Sequence, residues 1–238
     1  MWLACPVFKR QRPEVATNPL TEYFQKNHDG RLIHKWWHYF DIYHRHFAPF
    51  RGRPITVVEF GVFHGGSLQM WREYFGPEAR IVGVDIDPRC ADLTGPGIEV
   101  VIGDQADPEF LRSLVAKVGP VDVLIEDGGH TMEQQLTTLR EMWPTIRDGG
   151  VYLVEDLHTS YWGEYGGGYR RPGTFIEHAK SLVDSLHAWH SRDEGSFTVD
   201  DYTRTVTGMH FYDSILVLDK GRVEPPSHEQ IGKPSRAD

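Results

Sequence analysis

Two stretches of this sequence concentrate groups able to hold a cation and move a proton: Glu126-Asp127-Gly128-Gly129-His130 and Glu155-Asp156-Leu157-His158. Each closes a short, β-branched apolar run, at 121–126 and 151–155. If those runs are neighbouring strands, their ends deliver Asp127, Glu155 and Asp156 to one edge of a sheet, beside His130. Three carboxylates so close repel and raise each other's pKa unless a cation sits among them. An all-oxygen set suits Mg²⁺, which keeps positions open for other oxygens. An imidazole, with an ordinary pKa of ~6.5, can take a proton at neutral pH. The plainer alternative has these acids capping helices or pairing with Arg147 and Arg170; three acids with a histidine outweigh it.

Three more run ends carry polar or glycine-rich sequence. The first, at 55–59, leads into Glu59-Phe60-Gly61-Val62-Phe63-His64-Gly65-Gly66-Ser67. Glycines there let the backbone pass close to a ligand before a helix starts. Gly61 and Gly65 are four apart, so this is not G-x-G-x-x-G, and a pyrophosphate cradle is disfavoured. The second run, at 80–85, ends in Asp85, 26 residues beyond Glu59, where an acid can accept ribose hydroxyls. The third, at 98–102, leads to Asp104 and Gln105, suited to a purine edge, and to Asp107, read as a helix cap. These ends describe an adenosine pocket without a phosphate loop. Among the other histidines, His34 and His38 lack the H-E-x-x-H pattern of a zinc site, His44 and His46 read as a solvated helix face, and His64 sits in the glycine loop.

These groups need a frame. Five apolar runs, each followed by a turn and most by a helical pattern, imply right-handed βαβ units and a parallel sheet buried on both faces. Asp107-Pro108-Glu109 starts one helix, and Thr131 with Gln134 has capping-box spacing for another. Residues 206–212 and 214–218 read as two further strands too close in sequence for a parallel crossover, hence antiparallel. Ile33, Trp36, Trp37, Phe40, Tyr43 and Phe47 recur at helical steps, predicting a helix over 31–50 that ends at Arg51-Gly52-Arg53-Pro54. The chain therefore divides into a lead-in and helical cap (1–54, with 1–20 loose), a catalytic domain (55–220) and a polar tail (221–238). A loop at 159–173, with Tyr161, Trp162 and three successive glycines, is a candidate lid.

The 238 residues carry 25 Lys+Arg against 34 Asp+Glu, a formal charge of −9, opposite in sign to a nucleic-acid or anionic-membrane surface. No apolar run reaches the ~18 residues of a membrane span, and the Pro-broken N-terminus does not read as a signal peptide. Two cysteines without metal or redox spacing fit a reducing cytoplasm. The aromatics of 31–50 suggest a packing or subunit face, so a homodimer is expected.

The set Val57-Val58-Glu59-Phe60-Gly61, Gly65-Gly66-Ser67, Gly83-Val84-Asp85-Ile86-Asp87, Gly103-Asp104-Gln105, Asp127-Gly128-Gly129-His130 and Glu155-Asp156-Leu157-His158 resembles the class I S-adenosylmethionine-dependent methyltransferases. More narrowly it is similar to the magnesium-dependent sugar O-methyltransferases acting on macrolide deoxysugars or polymethylated polysaccharides. The resemblance covers about residues 31–220; Asp-Gly-Gly-His and Glu-Asp are its most specific parts, and 33–39 matches loosely. It implies a Rossmann-like α/β fold, a mostly parallel seven-stranded sheet with an antiparallel last strand and helices on both faces. It implies Glu59, Gly61 and Ser67 around the methionine end of the methyl donor, Asp85 on the ribose, and Asp104 and Gln105 near adenine. It further implies Asp127, Glu155 and Asp156 as Mg²⁺ ligands and His130 as general base towards a sugar hydroxyl. Lys35, His38, His158, Tyr161 and Trp162 are the expected substrate contacts. Three alternatives remain open: a catechol-type O-methyltransferase, a nicotinamide-dependent oxidoreductase, disfavoured by the absent G-x-G-x-x-G, and a non-catalytic binding module that has kept the fold.

Overall fold

Strands β1 (Thr56–Phe60), β2 (Arg80–Asp85), β3 (Ile98–Ile102), β4 (Val121–Glu126), β5 (Ile146–Val154), β6 (Val206–Tyr212) and β7 (Ile215–Lys220) form one sheet in the order β3-β2-β1-β4-β5-β7-β6. The computed structural model describes residues 18–193, 195–233 and 235. Strands β1 to β5 run parallel to one another, and β7 runs antiparallel to both β5 and β6. Among the described residues, seven α-helices accompany them: α1 (Pro19–Lys26), α2 (Tyr39–Phe47), α3 (Gly66–Phe75), α4 (Pro108–Val118), α5 (Met132–Met142), α6 (Phe175–His187) and α7 (Asp201–Thr205).

Successive strand residues face opposite sides, so the apolar runs feed two cores. Val57, Ile81, Val123, Leu153 and Val217 pack with Phe40 and Tyr43 of α2 and Trp71 of α3 on one side. Val58, Val82, Leu124, Tyr152 and Leu218 pack with Leu111, Leu139 and Leu182 of α4, α5 and α6 on the other. Burial on both faces is why these strands read as continuous apolar runs. The caps form as read: Asp107 accepts from the Glu109 amide, and Thr131 and Gln134 cap α5 reciprocally.

The N-terminal region departs from expectation. The helix expected over 31–50 begins only at Tyr39; residues 32–36 form neither helix nor strand, and 37–38 form a turn. Ile33, Trp36 and Trp37 are therefore not part of its stripe, and His34 and His38 do not share a helix face. Ile33 is buried, whereas Trp36 and Trp37 are exposed. An unexpected helix, α1, starts inside the supposed lead-in, with Asn18 accepting from the Leu20 amide and Pro19 in the first turn. Leu20, Ile33, Phe40 and Val57 share one core, so the segment from 18 to 54 is packed into the sheet's own interior. The earlier lead-in, 1–17, lies outside the described residues. Strand β5 starts earlier than its apolar run because Ile146 pairs with Val121 before a register irregularity carries the chain to Val151 opposite Val123. Among the described residues no helix is long and apolar enough to cross a membrane.

Candidate active site

The register fixes the site's level. Phe60 lies opposite Glu126, and Glu126 opposite Val154, so Gly61, Asp127 and Glu155 leave the sheet side by side. Strand order reverses between β1 and β4, and ligands of open α/β sheets bind in the crevice that such a reversal opens. Here the crevice is a cavity of about 690 Å³ lined by Lys35, Gly61, Ser67, Asp85, Asp104, Gln105, Asp127, His130 and Asp156, among others. That volume is in the range of small-molecule sites.

The glycine turn forms one wall. Gly61 has φ +91, and a Cβ there would stand 2.0 Å from the Asp127 carbonyl oxygen, so a side chain would push β1 and β4 apart at the crevice. Asp85 holds this turn in place: its Oδ2 accepts from the amides of Val62 (2.8 Å) and Phe63 (3.0 Å), and its Oδ1 from that of Asp87 (2.9 Å). Glu59 lies fully buried beneath the wall rather than lining it. Its carboxylate accepts from the Ser67 hydroxyl (2.7 Å) and the Trp71 indole (2.8 Å). Burial pushes Glu59 up to about 7, against the opposing pull of Lys35. Beyond the end of β3, Gln105 donates to Glu126 Oε1 (2.6 Å) and accepts from the Gly129 amide (3.1 Å), while Asp104 accepts from the Ala106 amide (2.8 Å).

The carboxylates meet a cation from the chain itself. The Lys35 side chain, only 3 % exposed, pairs with Asp127, donates to both Glu155 oxygens (2.9 and 3.0 Å) and stands 3.8 Å from Glu59. Burial acts to lower the Lys35 pKa, but the surrounding carboxylates outweigh it and hold the ammonium well above the usual lysine range. Tyr43 donates to Glu155 (2.6 Å) and Tyr39 to Asp156 (2.7 Å). His130 Nε2 lies 3.4 Å from Asp156 Oδ2. Asp127, His130 and Asp156 each offer one ligand atom within 4.8 Å of the others. Glu155 stands apart from that trio: both its oxygens are engaged, and burial, reinforced by Asp127, keeps its pKa well above the usual carboxylate value. The alternative partners are otherwise occupied, Arg147 on Asp122 (3.5 Å) and Arg170 over the Tyr169 ring. With Glu59 and Glu155 both pushed towards their neutral forms, Asp127 and Asp156 face the one ammonium, and this pair beside His130 fits a hard divalent cation.

The backbone here is strained and over-determined. His130 (φ +58) and Asp156 (φ +53) are two of the few non-glycine residues in the left-handed region among those described. Such conformations cost about 1–3 kcal/mol and persist where the surroundings enforce them. The Thr159 hydroxyl does so, lying 3.0 Å from the His130 carbonyl and 2.8 Å from that of Asp156. The 159–173 segment is thereby tied to the site through two short 3₁₀ turns.

Of the expected substrate contacts, Lys35 lines the cavity but is consumed by the carboxylates. His38 reaches the Asp213 carbonyl (3.1 Å), and His158 Nδ1 lies 2.6 Å from the Ser214 hydroxyl and 3.9 Å from Asp156. Tyr161 and Trp162 are exposed, with the Trp162 ring 4.6 Å from that of His158 and Trp36 beyond it at 6.1 Å. This aromatic row stands outside the cavity, at its carboxylate end. Sequence reasoning missed Tyr39 and Tyr43 as carboxylate donors: their four-residue spacing was legible, but it also fits plain core packing. It also placed His44 and His46 in solvent, whereas they contact the hydroxyls of Tyr74 and Tyr212 at 2.9 Å each.

Comparison with known proteins agrees with this arrangement. A family described as a methyltransferase domain matches residues 58–157. With the strand order and the reversed β7, this makes the chain a member of the class I S-adenosylmethionine-dependent methyltransferases. Within that class it resembles sugar O-methyltransferases. It is 40% identical over 205 residues to the 8-demethyl-8-(2-methoxy-alpha-L-rhamnosyl)-tetracenomycin-C 3'-O-methyltransferase of Streptomyces olivaceus, covering 79% of this chain and 51% of that one. It is 36% identical over 190 residues to the demethylmacrocin O-methyltransferase of Streptomyces fradiae, covering 75% and 47%. Among solved structures, the MycE methyltransferase in complex with Mg and SAH superposes with a TM-score of 0.75 at 31% identity, over 86% of this chain and 54% of that one. The chain spans about half the length of these relatives.

Proposed function

We propose that this chain is an S-adenosylmethionine- and Mg²⁺-dependent O-methyltransferase whose acceptor is a hydroxyl of a sugar, carried on a glycosylated natural product or an oligosaccharide. The observation that carries the reading is the convergence of Asp127, His130 and Asp156 at the end of a cavity whose far wall is the glycine turn held by Asp85. The relatives named as rhamnoside and macrolide O-methyltransferases support the acceptor class.

In this reading Gly61 and Ser67 border the methionine end of the donor, with Glu59 supporting them from beneath. Asp85 faces the ribose, and Asp104 and Gln105 the adenine. Asp127 and Asp156 would hold the cation, with Glu155 behind them, kept in place by Lys35 and Tyr43. When bound, the donor supplies an electrophilic methyl carbon, and the cation supplies positive charge that eases loss of the acceptor's proton. His130 would take that proton on Nε2, and the donor, once bound, would supply the methyl group to the acceptor oxygen and leave as its neutral thioether. Asp156, 3.4 Å from Nε2, stabilises the imidazolium that forms. Positioning of the two reactants supplies much of the acceleration. His38, His158, Tyr161, Trp162 and the exposed Trp36 are assigned to the acceptor, because aromatic faces stack on the apolar faces of sugars. The acceptor is then a small molecule rather than nucleic acid or membrane, and the chain works in the cytoplasm as a homodimer.

The test is mass spectrometry of rhamnosylated polyketides, macrolides and mannosides incubated with S-adenosylmethionine and Mg²⁺. One methylene gained on the sugar is the expected result. Methylation of a catechol but of no sugar in the panel would overturn the acceptor assignment.

A further inference from the structure

Away from the cavity, α2 and the β6–β7 hairpin bring a second set of donors together. His46 of α2, His210 of β6 and Asp219 of β7 each offer one ligand atom, and these atoms lie within 4.8 Å of one another. His210 Nε2 is 2.7 Å from Asp219 Oδ2, and the His46 and His210 rings stand 4.7 Å apart, centre to centre. The Tyr212 hydroxyl is 2.9 Å from His46 Nε2. All three donors are half-buried.

The strand register builds this cluster. Gly208 pairs with Asp219 and His210 with Val217, which makes His210 and Asp219 diagonal neighbours on one face of the hairpin. Gly208 does not have positive φ, so its backbone does not demand glycine. A Cβ would stand 3.0 Å from Asp219 Oδ2 and 3.4 Å from His210 Nε2, tight enough that these side-chain ends would have to shift by a few tenths of an ångström. The missing side chain leaves the ground between the two donors open.

We propose that His46, His210 and Asp219 form a binding site for a zinc-class divalent cation, separate from the carboxylate cluster. Two imidazole nitrogens and one carboxylate oxygen are a donor set that zinc and its neighbours accept readily, whereas Mg²⁺ prefers oxygen alone. Three protein ligands leave a fourth, tetrahedral position for water or the Tyr212 hydroxyl. The His210–Asp219 and His46–Tyr212 hydrogen bonds are exchanged for metal bonds as the rings turn inward. An ion there fastens α2 to the hairpin, and α2 is the helix whose Tyr39 and Tyr43 hold Asp156 and Glu155. The site touches neither donor nor acceptor, so its effect on them is one of positioning.

The experiment is calorimetric titration of the chelator-stripped full chain with Zn²⁺ in a large excess of Mg²⁺, which competes at the Asp127–Asp156 site. Wild type binds one equivalent, and X-ray absorption reports two imidazoles on the bound ion. His210→Gln and Asp219→Asn, each checked for native circular dichroism, lose about 100-fold or more in affinity, while Asp156→Asn retains the equivalent. Unchanged Zn²⁺ binding in folded His210→Gln and Asp219→Asn, or no binding to wild type under excess Mg²⁺, overturns the proposal.

Discussion

Replacing Lys35 with methionine tests whether the carboxylate cluster needs a cation to fold around. The ammonium is 3 % exposed and engages Asp127 and Glu155 directly, with Glu59 at 3.8 Å. Methionine keeps the length and the apolar stem but leaves those buried acids uncompensated. Removing one member of a buried ion pair costs about 3–5 kcal/mol. For a chain of this size each kcal/mol moves Tm by about 2–4 °C, so the fall expected without divalent metal is about 6–20 °C. A cation bound by Asp127 and Asp156 supplies the missing charge, and a ligand that binds only the folded state raises Tm by mass action. The Mg²⁺ increment is therefore larger in Lys35→Met than in wild type. The assay is differential scanning fluorimetry of both proteins in chelator and across a Mg²⁺ series. A metal-free variant that melts with wild type, or equal Mg²⁺ increments in the two proteins, refutes the reasoning.

Three other expectations follow from the site and its surroundings. His130→Ala lowers methyl transfer by ~10²-fold or more while calorimetry finds S-adenosylhomocysteine binding unchanged; a parallel loss of binding would remove His130 from the proton-accepting role. Asp85→Ala frees three backbone amides of the glycine turn and weakens S-adenosylhomocysteine by about 10- to 100-fold, since a hydrogen bond to a charged group is worth about 1.5–3 kcal/mol; wild-type affinity would contradict the turn-holding role. Burial keeps His178 below its ordinary 6.5, so the folded chain resists protonation there. Its contribution is intact above 6.5 and is lost as pH falls from that value through the lower folded one. Between about pH 7.5 and 5, His178→Gln should lose less Tm than wild type, and an equal loss would show that His178 does not contribute to the acid sensitivity.

Much of this molecule is legible in its sequence because burial writes it there. Strands covered on both faces must be apolar throughout, so β1, β2 and β4 stand out as runs, and the acids that follow β4 and β5 mark the edge where the chemistry sits. Glycine could be read as a turn at Gly61, but not as the close approach to the Asp127 carbonyl that makes it necessary. The strap before α2 was not legible. Its aromatics fall at helical steps from Ile33 onward, yet Lys35 is drawn out of helical register by two carboxylates 92 and 120 residues away in sequence. Helix α1 carried a readable start in Asn18 and Pro19, obscured by the prolines that precede it. The division of labour among the acids was also hidden. Spacing makes Asp127, Glu155 and Asp156 equivalent, and only the tertiary fold sends Glu155 back to Lys35 and Tyr43 while turning Asp156 towards His130.

The most direct test of the central claim is methyl transfer from S-adenosylmethionine to a rhamnosylated polyketide, followed by mass spectrometry, in wild type and Asp156→Asn. Each protein is assayed with Mg²⁺ and with chelator. The account predicts a methylated sugar only in wild type with Mg²⁺, and its loss on chelation and return on Mg²⁺ addition. Full turnover of wild type in chelator, or of Asp156→Asn at the wild-type rate, would contradict it.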